Sequence, residues 1–255
     1  MNKRTQITEI LGKYKEHKKI KRKASHQRIE GHNMRAEIVL DKKDLEFFEK
    51  AMLDSKAKKN IKKLPPKDYW KKWDNSDFLD FMVECICSSQ QNSDSKSYQK
   101  FLGSEVYRKR LWAKPEGGIE IVLRKYGVRF PKRKASEIAA NRSVNFVELM
   151  KKISKDHPSG KIDEERKARR TFLQTVEKGF GLKQASHFLM YVGYSTRLVP
   201  IDSRWINSVK KMGIDVEDLK ELGFLIIEEA ANKAADTLSF KPNELDVANW
   251  TVSGN

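Results

Sequence analysis

"GFGLKQASHF", residues 179–188, is the stretch on which the reading of the whole chain turns. Upstream of it, Phe172, Leu173 and Val176 form an apolar stripe at helical spacing. After Gly181, a second stripe runs through Ala185, Phe188, Leu189 and Val192. Two helices joined through Gly179, Phe180 and Gly181 predict a tight hairpin over about 168–194. The glycines permit positive φ and a close approach of backbone to a partner. Successive N–H groups in such a turn, with the N-terminus of the next helix behind them, make a donor nest for a phosphate oxygen. A Gly-x-Gly between helices is also an ordinary connector, so the turn alone decides nothing. Lys183 is the odd residue, because a helix N-terminus carries positive partial charge and a cation fits its first turn poorly. Either Lys183 points into water or the site requires that amine.

Working outward, nearly every segment has a helical period and strand-like alternation is scarce. "KDLEFFEKAML" at 43–53 places Leu45, Phe48 and Met52 on one stripe. "KKLPP" at 62–66 breaks the pattern, and Asn75 or Ser76 is available to cap the apolar helix "DFLDFMVECICSS" at 77–89. "IEIVLRKYG", "KRKASEIAA" and "NFVELMKKIS" follow as helices, and Ser159 precedes the acidic first turn "DEE". The expected fold is all-α with short loops.

The formal charge is +17, from 52 Lys and Arg against 35 Asp and Glu, and most of the excess lies within the first 72 residues. The densest run, "KYKEHKKIKRK" at 13–23, reads as a solvated arm suited to a polyanion, since phosphate contacts release counterions. Anionic membrane is the rival polyanion, but "TQITEILG" at 5–12 is too short an apolar stripe to anchor on lipid. There is no run of about 20 apolar residues and no apolar signal core. Cys85 and Cys87, two apart, are too few for a structural zinc or iron–sulfur site and fit core positions. A reduced, cytoplasmic protein without metal or other cofactor is expected. His187, a lone histidine beside an apolar stripe, reads as structural rather than as a ligand.

The hairpin G-x-G-x-K, followed by "VPIDSRW" at 199–205, resembles the helix-hairpin-helix DNA glycosylases, and most closely the 8-oxoguanine DNA glycosylase/AP lyases of the archaeal and bacterial type. Lys183 and Asp202 stand at that superfamily's lysine–aspartate spacing. "CSSQQ" at 87–91 is similar to its L-S-A-Q helix start, "KRKASEIAA" to its K-A-x-x-I helix, and "ELDVANW" at 244–250 to the D-x-x-x-W tail. The resemblance runs from about residue 80 to the C-terminus.

What the resemblance implies is an all-α fold of two helical subdomains with a cleft between them. The expected division is a basic, partly helical extension over 1–60 and a glycosylase domain over 61–255. Lys183 would be the nucleophile, with its neutral form favoured by a shielded pocket and the helix end, and Asp202 its acidic partner, although Asp202 is also an expected N-cap. Trp250 would stack a purine and Asp246 would accept a hydrogen bond from the N7–H that distinguishes 8-oxoguanine from guanine. The same stretch also reads as a docked amphipathic helix with Leu245, Ala248 and Trp250 inward. Gln90 would sit at the DNA-facing start of a helix and fill the gap left by the flipped base, with Gln91 and Asn92 as equally polar neighbours. Gly179, Gly181 and Arg204 would meet the DNA backbone, as would "RFPKRKAS" at 129–136 and the 13–23 run. The chain ends in Asn255, where one branch of the family uses a lysine carboxylate on the base.

The expected partner is double-stranded DNA containing an oxidised base, met by a monomer away from membranes. The enzymatic rival is an endonuclease III-like glycosylase for oxidised pyrimidines, which commonly carries a four-cysteine cluster that is not in this sequence. Adenine-removing relatives generally lack the lysine. The rival of another kind is a non-catalytic DNA-binding module, and a further reading gives residues 1–60 an independent polyanion-binding role.

Overall fold

The computed structural model describes residues 40, 42–91, 95–104, 109–212, 214 and 221–253. The basic run at 13–23, Asn92 and the Asn255 carboxylate lie outside these residues. Among the described residues there is no strand, and twelve α-helices follow the apolar stripes of the sequence. In chain order they are α1 (Lys42–Leu53), α2 (Ser55–Ile61), α3 (Asn75–Ser88), α4 (Lys96–Gly103), α5 (Glu116–Lys125), α6 (Pro131–Asn141), α7 (Phe146–Asp156), α8 (Ile162–Thr175), α9 (Leu182–Tyr191), α10 (Ser203–Lys211), α11 (Glu221–Thr237) and α12 (Pro242–Ser253). Single 3₁₀ turns at Tyr69–Lys72 and Leu111–Ala113 complete the set.

The chain forms two compact units, one joining residues up to Lys63 with those from Ile201 onward, the other spanning Leu64–Pro200. In the first, α1, α2, α10 and α11 all pack on α12 or on one another. Leu45, Phe48 and Met52 of α1 are buried there, as their stripe predicts, and the Phe48 ring lies 5.5 Å from that of Trp205. Residues 42–60 of the expected extension lie in α1 and α2, whose buried apolar side chains pack within this unit.

The second unit is built on α3, whose apolar face meets α6, α7 and α9. Stacked and tilted rings of Phe78, Phe146, Phe172 and Phe188 make up its centre. The cap of α3 is Asp74 rather than Asn75 or Ser76. Its carboxylate accepts from the Asp77 N–H at 2.9 Å while Asp77 accepts from the Asp74 N–H at 3.0 Å, closing a reciprocal capping box. Asn75 is used elsewhere, holding Phe146 N and Val144 O at the start of α7. The helix expected to start near Ser159 begins at Ile162, with Lys161 at its cap. Glu165 in its first turn is wholly buried and accepts from the backbone N–H groups of Gly160, Arg197 and Leu198 and from the Ser195 hydroxyl. That carboxylate fixes the path of the chain after α9.

Candidate functional site

The glycine turn is held from three sides within the second unit. Gly179 has φ +84°, and a Cβ there would come within 3.1 Å of Ile86 on α3 and of Glu137 on α6, so only glycine fits. Gly181 differs from expectation: its φ of −111° is extended backbone, and it serves as the N-cap of α9, where a Cβ would meet only Gln184 Oε1 at an ordinary 3.6 Å. Phe180 between them turns inward, edge-on to Phe172 at 5.2 Å and to Phe188 at 6.0 Å. The buried Asn141 at the end of α6 accepts from Glu177 N at 2.9 Å and donates to Lys178 O at 2.7 Å, clamping the turn from below.

Lys183 is the second residue of α9. Its side chain is exposed, not enclosed as the resemblance led us to expect. One turn on, His187 lies partly buried between Phe81 and Tyr191, with Nδ1 4.0 Å from the Cys85 sulfur. Burial first, and the Lys183 charge second, push its pKa down to about 4, so the imidazole beside Lys183 is neutral at neutral pH. Cys85 and Cys87 are buried and free, and burial raises both thiols, Cys87 to about 12, which makes them inert. Among the described residues, no three His, Cys, Asp or Glu side chains are grouped to hold a metal.

Gln90 follows the C-terminal end of α3 instead of opening a helix, because the apolar run 78–87 is itself the helix and Ser89 turns out of it into extended backbone. Gln90 is exposed and adopts φ +53°, a left-handed conformation unusual for glutamine. Its side-chain oxygen accepts from Arg133 at 3.1 Å, and that of Gln91 accepts from the Arg129 N–H at 2.9 Å. Beneath the loop, Lys134 of α6 is fully buried and donates to the Cys87 and Ser89 carbonyls at 2.8 and 2.6 Å. Burial pushes its amine down to about 8. Phe130, which the sequence reading passed over, is a second exposed residue with positive φ, +56°, and the Arg133 guanidinium sits 4.8 Å above its ring. Its one signal was an aromatic beside Pro131 in the basic stretch "RFPKRKAS".

In the first unit, Asp202 caps α10 through Arg204 N at 2.9 Å, and its other oxygen pairs with the Arg204 guanidinium at 3.1 Å. The same guanidinium lies 5.4 Å from the centre of the Trp250 ring, which is 49% exposed. Asp202, Arg204 and Trp250 are thus brought together. Asp246, four residues before Trp250, instead faces inward: it is buried, and Oδ1 accepts from Trp205 Nε1 at 2.6 Å.

The sequence profile of the 8-oxoguanine DNA glycosylase family, of helix-hairpin-helix type, matches residues 57–240. The chain belongs to that family. It is similar to the 8-oxoguanine DNA glycosylase/AP lyase of Sulfolobus acidocaldarius, 29% identical over 168 residues that make up 65% of this chain and 76% of that protein. To the family member of the same name from Thermotoga maritima it is 30% identical over 131 residues, 50% of this chain and 58% of that one. The fold is similar to that of the Methanocaldococcus jannaschii 8-oxoguanine glycosylase/lyase solved in complex with DNA containing 8-oxoguanine. That match has a TM-score of 0.66 at 20% identity and covers 84% of this chain and 97% of the other. It is also similar to the Thermotoga maritima 8-oxoguanine DNA glycosylase, with TM-score 0.64, 20% identity, and coverage of 82% and 94%.

Proposed function

We propose that this chain excises 8-oxoguanine from double-stranded DNA and then cleaves the strand, with Lys183 as nucleophile and Asp202 as its acidic partner. The observation that carries the reading is an exposed lysine in the first turn of the helix after Gly181, in a member of this family. The Lys183 amine gives its lone pair to the deoxyribose C1′ as the glycosidic bond breaks, and the base leaves with the electron pair of the broken bond. Loss of a proton from nitrogen and opening of the C1′–O4′ bond, whose electron pair stays on O4′ and takes up a proton, give a protonated imine. The imine acidifies C2′–H; loss of that proton expels the 3′ phosphate by β-elimination. The Asp202 carboxylate steadies the positive charge developing on the sugar and takes the amine proton. Asp202 and Arg204 pair in the free chain, so a phosphate that draws Arg204 away would release the carboxylate for this work.

Trp250 offers a flat ring for the purine, and Asp246 is the candidate acceptor for its N7–H, a task its carboxylate would share with Trp205. Gln90 fills the vacated stack, and Phe130, which shares the Arg133 guanidinium with it, is suited to wedge against an opened base step. The N–H groups around Gly179 and Gly181 take phosphates. The basic run at 13–23 adds sequence-independent affinity, so a chain lacking residues 1–39 should bind DNA with a weaker salt dependence and still excise. The truncation stops short of α1 because Phe48 packs on Trp205. No helix among the described residues is long and apolar enough to cross a membrane, and we place the enzyme on nucleoid DNA in the cytoplasm.

Borohydride trapping tests this reading. A duplex containing 8-oxoguanine should give a covalent complex that is lost in Lys183→Ala. Binding with neither trapping nor cleavage would leave a DNA-binding module, and trapping confined to oxidised pyrimidines would leave the endonuclease III-like alternative.

A further inference from the structure

Lys134 stands in the middle of the basic stretch 129–136, yet it is the one lysine there whose side chain is wholly enclosed. Among the described residues, both of its hydrogen bonds go to backbone carbonyls. They are the carbonyl of Cys87, in the last turn of α3, and that of Ser89, immediately before Gln90. Burying an ammonium without a bonded carboxylate is costly, so the position calls for a reason. Ending a helix does not supply one. A glycine at 90 would take φ +53° without strain and close α3 in the usual way. The chain keeps a glutamine there and exposes its side chain. Two further contacts from α6 and its entry, Arg133 to the Gln90 side chain and Arg129 N to the Gln91 side chain, bear on the same short loop.

We propose that Lys134 is a positioning residue for base excision: by binding the Cys87 and Ser89 carbonyls it locks Gln90 in the left-handed conformation that presents its side chain to the duplex. The inference rests on the reading of Gln90 as the residue that fills the vacated stack. The lysine touches neither the base nor the sugar and acts through the backbone of another residue. The end of α3 favours it, since the last carbonyls of a helix carry negative partial charge. Its proton is held only moderately. Burial lowers the amine to about 8, Arg133 and Arg129 push in the same direction, and Cys87 and Glu137 oppose them.

The test is a double-mutant cycle of Lys134→Met, which keeps length and volume, with Gln90→Ala, on full-length protein well below its melting temperature. Single-turnover excision on an 8-oxoguanine duplex should fall about 10-fold in Lys134→Met, and less than about twofold when the same change is made in Gln90→Ala. Borohydride trapping at a preformed abasic site reports the fold and Lys183 without requiring eviction of a base, and should stay within about twofold of wild type. Additive losses in the cycle, an unchanged excision rate, or an equal loss at the abasic site would each overturn the inference. Should Lys134→Met fail to fold, Lys134→Gln, which keeps one donor, enters the same cycle. A wild type that neither excises nor traps would instead sink the functional reading itself, a result distinct from additivity in an active enzyme.

Discussion

The C-terminal end of α3 and the N-terminal end of α9 each hold a lysine, and the two are placed oppositely. At α3 the Lys134 cation meets the negative end of the helix, is buried, and is bonded to two carbonyls. At α9 the Lys183 cation meets the positive end and is exposed. The helix dipole favours the first placement, whose burial still costs, and disfavours the second. Where a helix end disfavours a charge, a chemical use accounts for its position.

Lys183→Gln is the strongest way to break this comparison. It should abolish borohydride trapping and lower strand cleavage by at least about 10³-fold. Because it also removes a cation from a helix N-terminus, urea unfolding should find the variant as stable as wild type or more so by up to about 0.5 kcal/mol. A clear loss of stability together with activity would mean that Lys183 serves the fold after all. A third helix end sharpens the point. Asp202 caps α10, and asparagine caps as well as aspartate, so Asp202→Asn should leave the melting temperature unchanged while excision falls by about 10²–10³-fold. Retained excision in that variant would reduce Asp202 to a cap.

This contrast was half legible in the sequence. The hairpin, the apolar stripes and Lys183 are local features: glycine punctuation and a 3.6-residue period need no knowledge of neighbours. Leu45, Phe48 and Met52 are buried together for the same reason. Lys134 was not legible, because inside "RFPKRKAS" it looks like its exposed neighbours, and its carbonyl partners lie 47 and 45 residues away along the chain. Gln90 was placed at a helix start by its similarity to a motif, whereas the turn at Ser89 ends the preceding helix. Asp246 and Trp250 are spaced for one helical face, yet the packing of α10 on α12 turns Asp246 to Trp205 and leaves the Trp250 ring at the surface. For Lys134 and Asp246 a partner distant in sequence set the outcome.

The buried lysine should also be visible in the pH dependence of stability. Its amine is at about 8 in the folded chain and 10.5 otherwise, so between those values the unfolded chain holds a proton that the folded chain has released. The stability Lys134 contributes is therefore fully present above about 10.5 and lost as pH falls through 8. Wild type should gain up to about 3 kcal/mol on Lys134→Met between pH 8 and 10.5, read from urea midpoints of both proteins. Taking the difference cancels the opposing alkaline loss from Tyr194, whose hydroxyl burial pushes up; that from Cys87, raised to about 12, cancels only in part, because the Lys134 charge lowers it in wild type alone. A gap that does not change with pH would mean the amine is not held in a poorly hydrated site.

His187 gives the smallest effect and links it back to Lys183. Its imidazole is at about 4 in the folded chain against 6.5 otherwise, with burial as the larger cause and the Lys183 charge as the smaller. A base depressed in this way contributes stability that is whole above pH 6.5 and drains as pH falls through 4. Wild type should lose up to about 3 kcal/mol relative to His187→Gln across that window. Lys183→Gln removes the smaller cause, so the folded imidazole should titrate slightly higher and the acid loss should shrink by a fraction. Burial alone would leave the His187 limb identical in Lys183→Gln and wild type, and the charge one turn before it would then be too well screened to reach the ring. A shrunken limb would establish, in solution and without DNA, that the cation at the start of α9 is felt on the face of the helix that carries His187.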